Sequence, residues 1–115
     1  MGFDVEESLN KAYFEFTAEV YKLCAQIKKT NTDGFFSNNI LLSTTFIGVN
    51  LAKGDYFGVY YQCLEIQNWL DFLKNNEFEV SKALVRSLDN IKSSAFIYSF
   101  FLNEITNNFK KKLKK

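Results

Sequence analysis

Apolar residues recur along this chain at alternating spacings of four and three, which keeps one face of a helix apolar over several turns. The first such stripe consists of Val5, Leu9, Tyr13, Phe16, Val20, Leu23 and Ile27. Asp4 with Glu7 resembles a capping box before this stripe, and the turn-forming residues 30–34 follow it. The pattern predicts a first helix over roughly residues 5–29.

A second stripe is formed by Ile40, Thr44, Ile47 and Leu51, and it ends at Gly54. The β-branched run 43–47 has the propensity of a strand, but no partner strand with an alternating pattern exists elsewhere in the chain. We therefore predict a second helix over roughly residues 36–53.

Two further stripes complete the pattern. The third, after a candidate cap at Asp55, consists of Val59, Cys63, Ile66, Leu70 and Leu73. The fourth, after a candidate cap at Asn76 with Glu79, consists of Val80, Leu84, Leu88, Ile91, Ala95, Tyr98, Leu102, Ile105 and Phe109. These stripes predict helices over roughly 56–74 and 77–110, and short connections predict a single all-α domain, an antiparallel up-down-up-down four-helix bundle.

The predicted helices differ in length. At 1.5 Å per residue the first and fourth would be about 38 and 45 Å long, and the other two about 28 Å, so the long helices should overhang. Within the expected overhang, residues 95–102 place apolar groups on nearly every side of the fourth helix. We expect an oligomer interface there, formed by Phe96, Ile97, Phe100 and Phe101. The alternative is a wide core face closed by Phe35 and Phe36.

Charge is distributed unevenly. The 115 residues carry a net charge of +1, from 14 basic and 13 acidic residues. Five of the basic residues lie in the C-terminal tail 110–115, namely Lys110, Lys111, Lys112, Lys114 and Lys115. Residues 1–109 therefore hold nine basic and 13 acidic residues, a net charge of −4. The tail either complements the carbonyls at a helix C-terminus or contacts nucleic acid, and the acidic body disfavours nucleic-acid binding.

The composition argues against catalysis and cofactors. The chain has no His, which removes the Ser-His-Asp and Cys-His arrangements, most zinc sites and the usual di-metal bundle site. Gly48, Gly54 and Gly58 match neither a P-loop nor a dinucleotide-binding pattern. We predict that the protein is not an enzyme and has no catalytic, cofactor or metal site.

Cysteine usage and hydropathy bear on the compartment. Cys24 and Cys63 lie far apart among apolar residues, which favours buried, reduced thiols. The N-terminal residues lack the features of a secretory signal, and the apolar stretches are shorter than the about 20 residues of a membrane span. The expected location is the cytoplasm, without a membrane partner.

The second helix carries a recognisable motif. The stretch Ile47-Gly48-Val49-Asn50-Leu51-Ala52-Lys53-Gly54, with Tyr21-Lys22-Leu23 and Gly34 upstream, resembles the four-helix-bundle proteins encoded in intervening sequences of bacterial 23S ribosomal RNA. That family also resembles the accessory variability determinant of diversity-generating retroelements. The sequence departs from the family pattern in the second helix, at Asn39, Leu42, Phe46 and Lys53.

The resemblance implies a bacterial, non-catalytic antiparallel bundle that assembles into a ring, often a pentamer, with nucleic-acid or protein partners. Within the motif, Gly48 and Ala52 are one turn apart and are expected to permit a close helix approach. Asn50 is expected to bond a neighbouring helix or subunit rather than a ligand.

Together these observations predict a non-enzymatic, self-associating bundle that acts through protein–protein contacts. Two alternatives remain open. One is an accessory protein that binds RNA or DNA through the lysine tail. The other is an inhibitor or immunity-type protein whose acidic body masks a basic partner.

Overall fold

A computed structural model describes the backbone of residues 5–30 and 34–113, and the side chains of residues 7–29 and 34–101. The described chain forms four helices: α1 (Val5–Thr30), α2 (Phe35–Lys53), α3 (Tyr56–Asn75) and α4 (Lys82–Leu113). The all-α prediction is confirmed.

The helices are arranged as a square. Helix α1 packs against α2 and α4, and α3 packs against the same two helices, whereas within the described residues the backbones of the diagonal pairs do not approach each other closely. Because consecutive helices are neighbours joined by short connections, they run antiparallel. This is the predicted up-down-up-down four-helix bundle.

The described part of the core is built from the predicted stripes, of which the side chains of Val5, Leu102, Ile105 and Phe109 lie outside the described residues. Each helix contributes at least one fully buried side chain, and the largest of these are Phe16, Leu9, Ile40, Ile47, Ile66, Leu84 and Ile91. The strand alternative for residues 43–47 is wrong, because this run lies inside α2. The Thr44 and Thr45 hydroxyls donate hydrogen bonds to the carbonyls of Ile40 (2.8 Å) and Leu41 (2.9 Å), which satisfies them within the helix.

The connection between α3 and α4 corrects one predicted boundary. Helix α4 begins at Lys82 rather than near 77, and its first turn is capped by Ser81, whose Oγ accepts from the Leu84 N–H at 3.1 Å. Asn76 and Glu77 instead end α3. The Glu77 N–H donates to the Lys74 carbonyl (3.1 Å) and the Phe78 N–H to the Leu73 carbonyl (2.9 Å), a Schellman motif.

The α2–α3 corner uses the same motif with glycine at the critical position. Gly54 has φ 72°, its N–H donates to the Leu51 carbonyl (3.1 Å), and the Asp55 N–H donates to the Asn50 carbonyl (2.8 Å). The predicted cap at Asp55 is confirmed, since its Oδ1 accepts from the Gly58 N–H at 2.9 Å. The α2–α3 corner therefore has a glycine at its positive-φ position, whereas the α3–α4 corner places Glu77 at φ 64°.

Helix α4 overhangs the start of α3, but the overhang begins after Tyr98 rather than at residue 95, because Phe96 still lies beside Tyr60 of α3. The ring of Tyr56, the first residue of α3, lies 4.7 Å from that of Tyr98, measured between centroids. From Tyr98 the helix continues to Leu113, about 22 Å further at the usual rise per residue. The molecule is accordingly elongated, with extents of 62 × 27 × 21 Å.

Opposite substitutions at the two Schellman positions should have opposite effects. Nothing lies within 4 Å of a Cβ added at Gly54, so Gly54→Ala adds only the strain of positive φ and should lower the free energy of unfolding by about 1 kcal/mol. Glu77→Gly removes that strain and should raise it by up to about 1 kcal/mol. Urea denaturation followed by circular dichroism measures both. Changes of the same sign would contradict this account of the corners.

Candidate interaction surface

The segment of α4 around residue 98 is apolar on its outer as well as its inner side. Ala95 and Ser99 are buried, and Tyr98 packs against the core. Four other residues of this segment point outwards and are at least half exposed: Phe96 (50%), Ile97 (65%), Phe100 (59%) and Phe101 (61%). With 3.6 residues per turn, these four cover the whole outward arc of the helix.

This surface continues onto α3. The ring of Phe96 lies 5.3 Å from that of Tyr60, and Tyr60 lies 5.9 Å from Tyr61. Tyr61 is 62% exposed, and Phe57, one turn before it, is 46% exposed. We call the combined patch the aromatic surface; it consists of Phe57, Tyr60, Tyr61, Phe96, Ile97, Phe100 and Phe101.

The alternative in which Phe35 and Phe36 close over this face is wrong. Their rings lie 5.6 and 5.7 Å from that of Trp69, and Phe36 stacks on Phe72 at 5.3 Å. Trp69 and Phe72 belong to the C-terminal part of α3, whereas the aromatic surface uses its N-terminal part. Within the described chain, those two phenylalanines therefore lie at the opposite end of the bundle, where Phe35 stays half exposed.

The α4 part of the aromatic surface carries no charge. No charged residue occurs between Lys92 and Glu104 in the sequence. Lys92 itself is engaged towards α3 and along α4, because its Nζ donates to Gln67 Oε1 at 2.8 Å and lies 3.9 Å from Asp89 Oδ1. A partner can therefore cover this segment without removing a charge from water, which is the costly step in many interfaces.

The α3 residues of this surface were not among the predicted site residues. Phe57 and Tyr61 are spaced by one turn and lie opposite the buried stripe of Val59 and Cys63. The one-turn spacing of Phe57 and Tyr61 is visible in the sequence. By itself it does not indicate an exposed surface, because aromatic residues at helical spacing belong most often to a core.

The motif glycine Gly48 does permit a close helix approach. A Cβ added there would lie 2.6 Å from Tyr13 Oη of α1, and that hydroxyl donates to the Thr44 carbonyl at 3.0 Å. Ala52 has no such role, because it is exposed. The pairing of Gly48 with Ala52 as a small-residue contact is therefore wrong, since only the first of them faces a neighbouring helix.

Asn50 lies against the first turn of α3. A Cβ added at Gly58 would lie 2.8 Å from both Asn50 Cγ and Nδ2, and 2.7 Å from Asp55 Oδ2. Asn50, Gly54, Asp55 and Gly58 thus form one compact corner, in which the absence of a side chain at 58 leaves room for the amide of 50. The structure gives this motif a structural role in joining α2 to α3.

The contact between Gly48 and Tyr13 can be tested with a double-mutant cycle. Gly48→Ala should lower the free energy of unfolding by about 1–2 kcal/mol, because steric overlap outweighs the better helix propensity of Ala. In a Tyr13→Phe background the same change should cost about 1 kcal/mol less, since the nearest atom has been removed. Strictly additive costs in urea denaturation would contradict the proposed contact.

Both cysteines are buried and free. Burial raises the pKa of the Cys63 thiol from 9.0 to about 12, against the opposing effect of the Lys92 charge. Burial also raises the pKa of Cys24, against smaller opposing effects of the Ser37 hydroxyl and of Lys28. Ser37 Oγ makes no hydrogen bond of normal geometry with a described residue, so its contact with this thiol is weak. Neither thiol is placed to act as a nucleophile.

The raised pKa of Cys63 predicts a pH dependence of stability. Above pH 9 the unfolded thiol loses its proton while the folded one keeps it, so the free energy of unfolding falls as pH rises towards about 12. The wild-type protein should lose up to about 1.4 kcal/mol per pH unit more than Cys63→Ala in this range. Comparing the two slopes from pH 8 to 10.5 cancels the common titration of lysines and tyrosines. Equal slopes would contradict the buried, neutral thiol.

The lysine tail lies largely outside the described side chains. The backbone of Lys110, Lys111 and Lys112 belongs to α4. Their side chains, and all of Lys114 and Lys115, lie outside the described residues. The structure therefore places these three lysines on the projecting end of α4.

Metal clusters, membrane spans and grooves are further kinds of site that the described part of the chain could offer. No three His, Cys, Asp or Glu side chains come together there as potential metal ligands. None of the described helices combines the length and apolar character that crossing a membrane requires. Two shallow grooves flank the α3–α4 connection, one of them lined by Lys29, Phe78 and Glu79.

Comparison with known proteins adds no relative. No protein-family model, no curated protein and no solved structure matches this chain.

Proposed function

We propose that this protein is a non-enzymatic, self-associating four-helix bundle that acts through protein–protein contacts, with the aromatic surface as its main interface. The observation that carries the proposal is the exposure of Phe96, Ile97, Phe100 and Phe101 side by side on α4. Single exposed apolar residues are common on proteins, but a contiguous patch of this kind marks interaction sites.

Burial of this patch in an interface contributes a substantial part of the free energy that association requires. Covering the exposed half of one phenylalanine removes roughly 100 Å² of apolar surface from water, worth about 2.5 kcal/mol. Four such side chains provide several kcal/mol towards the cost of association, which is itself large. The inner face of the same helix turn is already occupied by Ala95 and Ser99, so the outward residues have no place in the chain's own core.

The elongated shape supports the same reading. Helix α4 projects past the start of α3, so α3 does not run alongside the last turns of α4. A ring, often a pentamer, is what the sequence resemblance implies for the subunit arrangement, and it stays a prediction to be counted by mass.

Native mass by light scattering tests the proposal. The wild-type protein should be oligomeric at low and high salt, since apolar contacts are not screened by ions. Phe100→Asp should shift it towards monomer, because a partner would have to bury an unpaired carboxylate. Phe14→Asp is the matched control, as Phe14 is 74% exposed on α1, and it should leave the mass unchanged.

Two results would overturn self-association through this surface. The first is a monomeric wild-type protein at every concentration and salt. The second is a gain in mass only with a mixed RNA and DNA pool at low salt, lost on deletion of residues 110–115, which would make the lysine tail the functional site.

A further inference from the structure

Helix α2 has an outward face that is almost without charge. Its 19 residues include one charged residue, Lys53, at its last position. The whole chain, by contrast, carries 14 basic and 13 acidic residues. A surface helix normally has charged residues opposite its apolar stripe, and a helix without them is typically covered on both sides.

The outward face also carries a second apolar stripe. Opposite the buried stripe of α2 lie four partly exposed side chains, Phe35 (52%), Leu42 (54%), Phe46 (43%) and Val49 (40%). The first, second and fourth of these are spaced by seven residues, the spacing of a helix–helix seam in coiled coils. We call these four residues the α2 seam.

Two polar side chains near the seam bond to the backbone of α2 itself. Asn39 Nδ2 donates to the Phe35 carbonyl at 2.8 Å, and Thr45 Oγ1 donates to the Leu41 carbonyl at 2.9 Å. The hydroxyl proton of Thr45 is thereby used within α2, as is one of the two amide protons of Asn39. The four apolar side chains and the near absence of charge fit an apolar helix as the partner.

We propose that the α2 seam packs against the α2 seam of a second copy of this chain, with the two helices antiparallel about a two-fold axis near Leu42. In this register Leu42 faces Leu42 of the partner subunit, and Phe35 faces Val49 of the partner subunit. The large ring is thus opposed to the smaller side chain at both ends of the contact, which fills the space evenly.

Charge and area both favour a second copy as the occupant. A two-fold contact sets each residue of a face against another residue of the same face, so a face almost without charge pairs with itself without opposing like charges. In the antiparallel register the two Lys53 residues lie at opposite ends. The exposed parts of the four side chains on two copies provide roughly 700 Å² of apolar area, and flanking residues such as Phe72 bring the contact towards about 1,000 Å², the lower bound for a specific interface.

This contact shares with the proposed function only the premise that the chain self-associates. It uses α2, whereas the four residues that carry the proposed function lie on α4, diagonally across the bundle. The α2 seam and the α4 part of the aromatic surface can therefore be disrupted separately.

Cysteine cross-linking tests the register. Leu42→Cys should form a disulfide-linked dimer under mild oxidation, because the two-fold axis brings the two new thiols together. Val49→Cys should not, since the two copies of residue 49 lie far apart in the antiparallel register. Tyr21→Cys, at a 66% exposed position on α1, is the control for random collision. Both native cysteines are buried and should not interfere.

The expected rate for Leu42→Cys exceeds that of the control by about tenfold or more, since pre-association raises the effective thiol concentration. Faster cross-linking of Val49→Cys than of Leu42→Cys would overturn the antiparallel register. Equal rates for Leu42→Cys and Tyr21→Cys would overturn the contact itself.

Light scattering of a charged variant separates this proposal from the previous one. Leu42→Glu should lower the native mass of the wild-type assembly, and combination with Phe100→Asp should lower it further. An oligomer that Phe100→Asp dissociates but Leu42→Glu leaves intact would overturn the α2 contact and keep the proposed function. An oligomer that responds only to Leu42→Glu would overturn the role of the aromatic surface and keep the α2 contact.

Discussion

Phe16 of α1, Ile47 of α2, Ile66 of α3 and Ile91 of α4 are all fully buried in one shared core. A helix of this size is marginal in water by itself, so each element is stabilised mainly by burying its apolar stripe against the other three. The square arrangement follows from this requirement, because it lets four stripes meet along one axis, and the short connections make consecutive helices run antiparallel. The orientation of every outward residue is then fixed by its angular distance from the buried stripe.

The corners adjust the helices to that core. Two Schellman motifs reverse the chain after α2 and α3, and Asp55 and Ser81 cap the helices that follow. The α2–α3 corner is the tighter one, since Asn50 occupies the space that a side chain at Gly58 would need. Close approach is also visible between α1 and α2, where Tyr13 lies over Gly48. The glycine motif in this chain is thus accounted for by packing.

The core uses one stripe from each helix, and the chain contains more apolar residues than that. The surplus is concentrated on two helices, α2 with its charge-free outward face and α4 with its segment around Tyr98. On α4 the outward residues join Tyr60 and Tyr61 of α3 into one surface. Each of these two surfaces offers apolar area that the core of the chain does not use.

Local sequence determined the helices, because periodicity and capping are short-range properties. The stripes, the cap at Asp55 and the end at Gly54 all involve residues within one or two turns. The start of α4 was predicted wrongly for the same reason: Asn76 with Glu79 is a plausible cap, and only the hydrogen bonds of residues 73–78 show that this stretch ends α3.

Tertiary structure decided everything that depends on which faces meet. The sequence left Phe35 and Phe36 free to cover α4, and packing placed them on Trp69 at the other end of the bundle. The sequence alone does not show that Gly48 contacts Tyr13 or that Phe96 contacts Tyr60, because the members of each pair are far apart in the chain and on different helices. The periodicity fixes how a helix is divided into faces. Only the packing of all four helices decides which apolar face is buried and which one remains for a partner.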